Sequence, residues 1–205
     1  MKTEKKILNA SRLLFNEKGV MNTTLRDVAK YLNKSYGNIT YHYATKEEVI
    51  FSLLNEMNEE LLSLQQFDEN ENILLYLLNL PRYSYSISEK YLFFIIDYLE
   101  IKRNFPAIQK KIDSLNSGRK EKWMSILLQI KEQGYLDEKN THLDIEYIIF
   151  LSYSVRVTYF QTEDAAAYNE SKYTFIVNSL IKPYLSNKGG IIYKNWLESF
   201  MLENE

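Results

Sequence analysis

Tyr36, Asn38, Thr40, Tyr41 and His42 fall within residues 35–42, with Ser35, Gly37 and Ile39 between them. Together they offer hydroxyl, amide and imidazole donors and acceptors, and aromatic faces besides. Ile39 is the only strongly apolar residue of the stretch, so a helix here would have almost no face to bury. Donors, acceptors and ring or methyl surfaces at this density suit base edges and phosphate oxygens. Lys46 follows at the start of another helical segment, where its charge and the helix dipole both favour a phosphate.

Such a segment needs elements to hold it. Residues 3–18 place Ile7, Leu8, Leu14 and Phe15 on one stripe, which predicts a first helix ending at Gly19. Thr24 and Asp27 have the spacing of a capping box that opens a second, short helix buried through Leu25, Val28, Ala29 and Leu32. Asn33, tolerant of the left-handed conformation, can reverse the chain. Ser35 can then cap a third helix over Tyr36–His42, anchored by Ile39. Thr45 and Glu48 form a further capping box and start a long helix over 46–66. Two short helices joined by a tight turn, the second presenting polar and aromatic residues, make a helix-turn-helix.

Charge distribution supports this reading. Residues 1–50 hold nine Lys/Arg against five Asp/Glu, a net of +4, so the other 155 carry −6 of the total of −2. A basic head on an acidic body fits a small nucleic-acid reader attached to something else. The absence of cysteine excludes disulfides and Cys-ligated metals. His42 and His142 stand far apart, outside any HxxxH or HExxH spacing, so no zinc site or other cofactor is expected. The N-terminus lacks a signal-type apolar region, and the run YLFFII at 91–96 is too short to span a bilayer. A cytoplasmic location without membrane contact is the expectation.

The stretches ILNASRLLFNEKG, TTLRDVAKYLN, SYGNITYHY and TKEEVI together resemble the N-terminal domain of the TetR/AcrR transcriptional regulators, across about 45 residues without a gap. By position, the resemblance implies DNA contacts at Thr24, Arg26, Ser35, Tyr36, Gly37, Asn38, Thr40, Tyr41, His42 and Lys46. Their chemistry divides them. Thr24, Arg26, Tyr41, His42 and Lys46 suit phosphates, whereas Tyr36, Asn38 and Thr40 suit base edges, with Gly37 allowing close approach. Each has a plainer reading: His42 as a hydrogen-bonder at the helix end, Tyr41 packed on the fourth helix, Arg26 on a solvated face. Departures from the family pattern are Tyr31 and Asn33 in place of Ala and Gly, Thr40 in place of an aromatic, and Tyr43 in place of Phe.

From residue 46 the periodicity stays helical, predicting helices at roughly 46–66, 71–86, 88–103, 106–133, 143–162, 168–185 and 189–202. The fold class is therefore all-α, with nine to ten helices, read as a DNA-binding domain over 1–46 and a helical ligand-binding and dimerisation domain over 47–205. The resemblance implies an effector pocket and a dimer interface in this body. Tyr83, Tyr91, Phe94, Tyr98, Trp123, Tyr153, Arg156 and Tyr159 are the candidate ligand contacts; aromatics at helical spacing equally make core. Ile148, Ser152, Val155, Tyr173, Ile176, Val177, Leu180, Ile181 and Tyr184 are the candidate interface, or else stripes facing the protomer's own core. Glu59, Glu60, Asp68, Glu69 and Glu71 read as solvated.

The combination implies a homodimeric repressor on a palindromic DNA operator, released by a small apolar or aromatic effector. A regulator governed by a protein partner is the alternative. A helical-bundle enzyme is disfavoured, since no Glu-x-x-His pair, nucleophile elbow or glycine-rich phosphate loop appears.

Overall fold

A computed structural model describes residues 3–64, 71–162 and 167–203. Among them are eleven α-helices, α1 (Thr3–Lys18), α2 (Leu25–Tyr31), α3 (Tyr36–His42), α4 (Lys46–Ser63), α5 (Ile73–Lys90), α6 (Phe93–Ile96), α7 (Tyr98–Asn104), α8 (Pro106–Glu132), α9 (His142–Thr162), α10 (Glu170–Ser179) and α11 (Asn187–Leu202). No strand accompanies them among the described residues, only an isolated bridge between Leu136 and Leu185. The chain is all-α, as its periodicity predicts.

Packing divides it into two compact units, Met1–Ser63 with Ile87–Ser114, and Leu64–Ser86 with Leu115–Glu205. The motif-based boundary at 46/47 thus differs from the packing boundary: the first unit takes in all of α4 and the separate stretch Ile87–Ser114.

In the first unit, Ile7, Leu14, Phe15, Val28, Ile39, Val49 and Leu53 form the core, each 3% exposed or less. The added stretch is fastened to α1. Phe93 packs edge-on against Phe15 with ring centres 5.3 Å apart. Asn16 donates from Nδ2 to the Lys90 carbonyl (3.0 Å) and accepts the Phe93 N–H (3.0 Å). Asp97 Oδ2 accepts the Val20 N–H at 2.7 Å. These bonds explain why the helix expected over 88–103 is not continuous. α5 runs on to Lys90, and the chain leaves helical geometry at Asp97 (φ −91°, ψ 14°) between α6 and α7. Of the five acidic residues read as solvated, Glu59 and Glu71 are exposed. Glu60 is not free: it accepts from Lys90 Nζ (2.5 Å) and from the Tyr91 hydroxyl (2.8 Å). Asp68 and Glu69 lie outside the described residues, as does the expected end of α4 at 65–66.

In the second unit, Leu74, Leu78, Leu127, Ile130, Ile145, Ile149 and Trp196 belong to one buried cluster. Pro81 stands inside α5 without an N–H to give, and the Leu78 carbonyl in the same turn accepts from Asn178 Nδ2 at 2.6 Å. Gly189 lets α11 start against the 134–136 segment, for a Cβ there would sit 2.1 Å from the Tyr135 carbonyl oxygen. α10 ends at Ser179, short of the expected 185, because the chain tightens into a 3-10 turn at Lys182–Tyr184 around Pro183.

Candidate nucleic-acid interface

Local backbone chemistry sets α2 and α3. Thr24 Oγ1 accepts the Asp27 N–H (3.2 Å) and Asp27 Oδ2 accepts the Thr24 N–H (2.8 Å), closing the capping box at the start of α2. Thr24, through its hydroxyl first and its N–H second, holds the Asp27 carboxyl below the ordinary carboxylate range. At the other end, Asn33 takes φ 55°, the only positive value for a non-glycine residue among the described residues. Its N–H reaches the Lys30 carbonyl (3.1 Å), and the Lys34 N–H reaches that of Ala29 (2.9 Å). This is the paired closure that normally calls for glycine at the helix end. Ser35 Oγ then accepts the Asn38 N–H (3.2 Å) and opens α3. Two caps and one left-handed residue therefore hold α3 in place, with Ile39 (0% exposed) its sole buried residue.

What α3 leaves uncovered is the proposed reading surface. Ser35, Tyr36, Gly37, Asn38 and Tyr41 are all exposed, Tyr41 at 85%. The Arg26 guanidinium lies over the Tyr36 ring, 5.2 Å from its centre, which brings a positive charge from α2 to the start of α3. Thr40 donates its hydroxyl hydrogen back to the Tyr36 carbonyl (3.2 Å), leaving its oxygen lone pairs to accept from a partner. A Cβ placed on Gly37 would touch nothing within 4 Å, so the protein's own packing does not require glycine there.

His42 and Lys46 are placed less simply. His42 Nδ1 lies 3.7 Å from Glu4 Oε1, a neighbour the sequence reading passed over, and its ring meets that of Tyr41 edge-on. Lys46 Nζ donates to the carbonyls of Val20 (2.7 Å) and Thr23 (3.1 Å), and burial lowers its pKa. Two of its three N–H groups are thus spent inside the protein, tying α4 to the loop that precedes α2.

The candidate ligand residues divide between the two units. Tyr91, Phe94 and Tyr98 belong to the first unit; Tyr83, Trp123, Tyr153, Arg156 and Tyr159 belong to the second. Tyr91 is buried under Arg12 and bonded to Glu60, which with burial raises its phenol pKa. Phe94 stacks on Phe93, and Tyr98 accepts from Lys102. Tyr83 is exposed, while Trp123 packs on the second unit's core. Tyr159 is buried and hydrogen-bonded to the backbone of Asn169. Tyr153 and Arg156 have buried polar atoms without a hydrogen-bond partner among the described residues.

Of the candidate interface residues, Ile148, Tyr173 and Ile181 are at most 5% exposed, buried within the protomer itself. Ser152, Val155, Ile176, Val177, Leu180 and Tyr184 are partly exposed. A different stripe stands out on α9: Leu143, Tyr147, Phe150 and Val157 are all exposed, Leu143 at 72% and Phe150 at 63%. Their spacing of i, i+4, i+7 and i+14 was available in the sequence. It was missed because the neighbouring Ile145, Ile148 and Ile149 read more strongly apolar.

A basic helix-turn-helix on an all-helical body defines a class of bacterial DNA-binding regulators, and this chain belongs to the TetR family of transcriptional regulators. The model for bacterial regulatory proteins of the tetR family matches residues 7–53, and that for a bacterial transcriptional repressor matches residues 54–190. The chain is 25% identical over 146 residues to the HTH-type transcriptional repressor KstR2 of Mycobacterium tuberculosis, covering 69% of this chain and 72% of that protein. Its fold is similar to that of a TetR-family regulator from Marinobacter aquaeolei VT8 (TM-score 0.84, 20% identity, 98% of this chain and 99% of the other). It is also similar to the fatty acid degradation regulator FadR of Bacillus halodurans (TM-score 0.68, 18% identity, 88% and 93%).

Proposed function

We propose that the chain is a non-enzymatic, cytoplasmic repressor that binds a palindromic operator as a homodimer and is released by a small molecule held in its second unit. The observation that carries the DNA reading is α3 itself: a capped helix with one buried residue and an exposed face of Tyr36, Asn38 and Tyr41, with Thr40 half-buried beside them. A surface helix without a partner has no use for Gly37 or for an arginine stacked on Tyr36. Placed in a major groove, Asn38 suits adenine, Tyr36 and Thr40 suit base edges or the thymine methyl, and Arg26 and Tyr41 suit phosphates. No helix among the described residues is long and apolar enough to cross a membrane.

The exposed stripe on α9 supports dimerisation. Leu143, Tyr147, Phe150 and Val157 make an apolar seam of the kind a soluble protein covers, with the exposed Phe175 of α10 as a further candidate. Two copies would set their α3 helices in successive major grooves, about 34 Å or a multiple of it apart. An effector acts by favouring a state in which that spacing is lost.

Selection from a random DNA pool, read together with complex mass, tests this. The expected product is an inverted repeat bound by two chains. Enrichment of no sequence, or of a single half-site bound by one chain, would contradict the proposal.

A further inference from the structure

Two charged side chains of opposite sign hold Val20, a fully buried residue in the loop between α1 and α2. Its N–H donates to Asp97 Oδ2 (2.7 Å), and its carbonyl accepts from Lys46 Nζ (2.7 Å). Neither charge serves its own helix. Asp97 occupies the N-cap position of α7, where an aspartate ordinarily accepts from the first turn, yet its side chain makes no such bond. Its carboxylate is turned to the loop instead. Lys46 is the first residue of α4, the end of a helix at which the dipole disfavours a cation.

The rest of the loop is held as closely. Gly19, at φ 84°, donates its N–H to the Phe15 carbonyl (2.9 Å). Thr23, also fully buried, donates its hydroxyl hydrogen to the Gly19 carbonyl (2.9 Å). Lys46 donates again to the Thr23 carbonyl (3.1 Å), and its ammonium lies 5.9 Å from the ring centre of Phe105, the C-cap of α7. Both ends of α7 therefore meet the groups that pin this loop. Thr24, the N-cap of α2, follows at once, and the closed turn at Asn33 joins α2 to α3. We infer that Asp97 is a positioning residue for base reading: by fixing Val20 it sets where α2 begins, and through the turn at Asn33 where α3 lies. The inference rests on the DNA reading of α3 and adds to it a residue outside the reading surface. Base contacts need their side chains placed within about 0.5 Å. Long basic side chains still reach phosphates after a small shift, so discrimination fails before general DNA affinity does.

The test uses the full chain as wild type, Asp97→Ser and Asp97→Asn. Serine is a favoured N-cap, so α7 still starts, but it is too short to reach Val20. Asparagine keeps an acceptor oxygen at the same reach. Each protein is titrated onto the selected operator and scrambled DNA well below its unfolding temperature, and amide exchange at Val20 is followed in parallel. In Asp97→Ser the Val20 amide should exchange faster and operator affinity should fall about 10-fold or more, the loss of a hydrogen bond to a charged group. Scrambled DNA should bind nearly as before. Asp97→Asn should keep most of the operator preference and of the Val20 protection. A residue that only braces the fold would lower the unfolding temperature and leave the operator-to-scrambled ratio as it was. That result, a wild-type ratio in Asp97→Ser, or equal losses of the ratio in both variants overturns the inference. So does a lost ratio with the Val20 amide still protected. If the wild type itself does not prefer the operator, the DNA reading falls and the inference with it.

Discussion

Gly37→Ala should strengthen the fold and weaken the function. Gly37 is the second residue of α3, does not have positive φ, and a Cβ there would meet nothing within 4 Å. Alanine is therefore tolerated sterically, and it restricts the unfolded chain and favours helix. The gain is about 0.5–1 kcal/mol, or ~1–4 °C in unfolding temperature for a chain of this length. If α3 lies in the groove, the same methyl stands where DNA must approach. Losing the equivalent of one good base contact costs about 1–3 kcal/mol per half-site. With two half-sites in a dimer, operator affinity should fall roughly 30-fold or more, at ~1.4 kcal/mol per factor of ten. Fluorescence anisotropy on the selected operator reads the affinity, and thermal unfolding reads the stability. A variant that is more stable yet binds with wild-type affinity would show that the start of α3 does not approach DNA. A destabilised variant would refute the claim that nothing in the protein needs this glycine.

Three further changes probe the supporting structure. Lys46→Met removes the donor to the Val20 and Thr23 carbonyls and should destabilise the first unit by about 1–3 kcal/mol in urea unfolding, where an ordinary surface lysine would cost nearly nothing. Phe150→Glu, in the middle of the exposed α9 stripe, should yield monomers by sedimentation and lose operator binding; a stable dimer would move the interface elsewhere. Asp27 has a carboxyl pKa depressed in the folded state by Thr24, so its contribution is complete above the unfolded value of about 4 and is lost as pH falls through the lower folded value. Asp27→Asn should accordingly flatten acid unfolding below about pH 4, and an unchanged acid profile would deny the capping box its part.

Local chemistry was readable and tertiary chemistry was not. The caps at Thr24 and Ser35, the reversal at Asn33 and the buried faces of α1 and α2 all depend on residues within four positions of one another. Each stands as the sequence suggests, except that Leu32 is the half-buried C-cap of α2 and not part of its buried face. The helix break at Asp97 depends on the Val20 N–H, 77 residues away, and the pairing of Glu60 on Lys90 and Tyr91, about 30 away. Periodicity carries no trace of such partners. It marks apolar stripes but not what covers them. On α9, Ile148 turns inward while the more mixed stripe of Leu143, Tyr147 and Phe150 stays exposed.

The most direct test of the DNA-reading claim is a salt titration of binding to operator and scrambled DNA by wild type, Asn38→Ala and Tyr36→Ala. If α3 reads bases, both variants should lose about 1–3 kcal/mol on the operator and relax preference at one or two base pairs per half-site. Binding to scrambled DNA and the salt slope should hardly change, since phosphate contacts remain. Equal losses on both DNAs would reduce Tyr36 and Asn38 to backbone positioners, and no loss on either would contradict the placing of α3 in the groove.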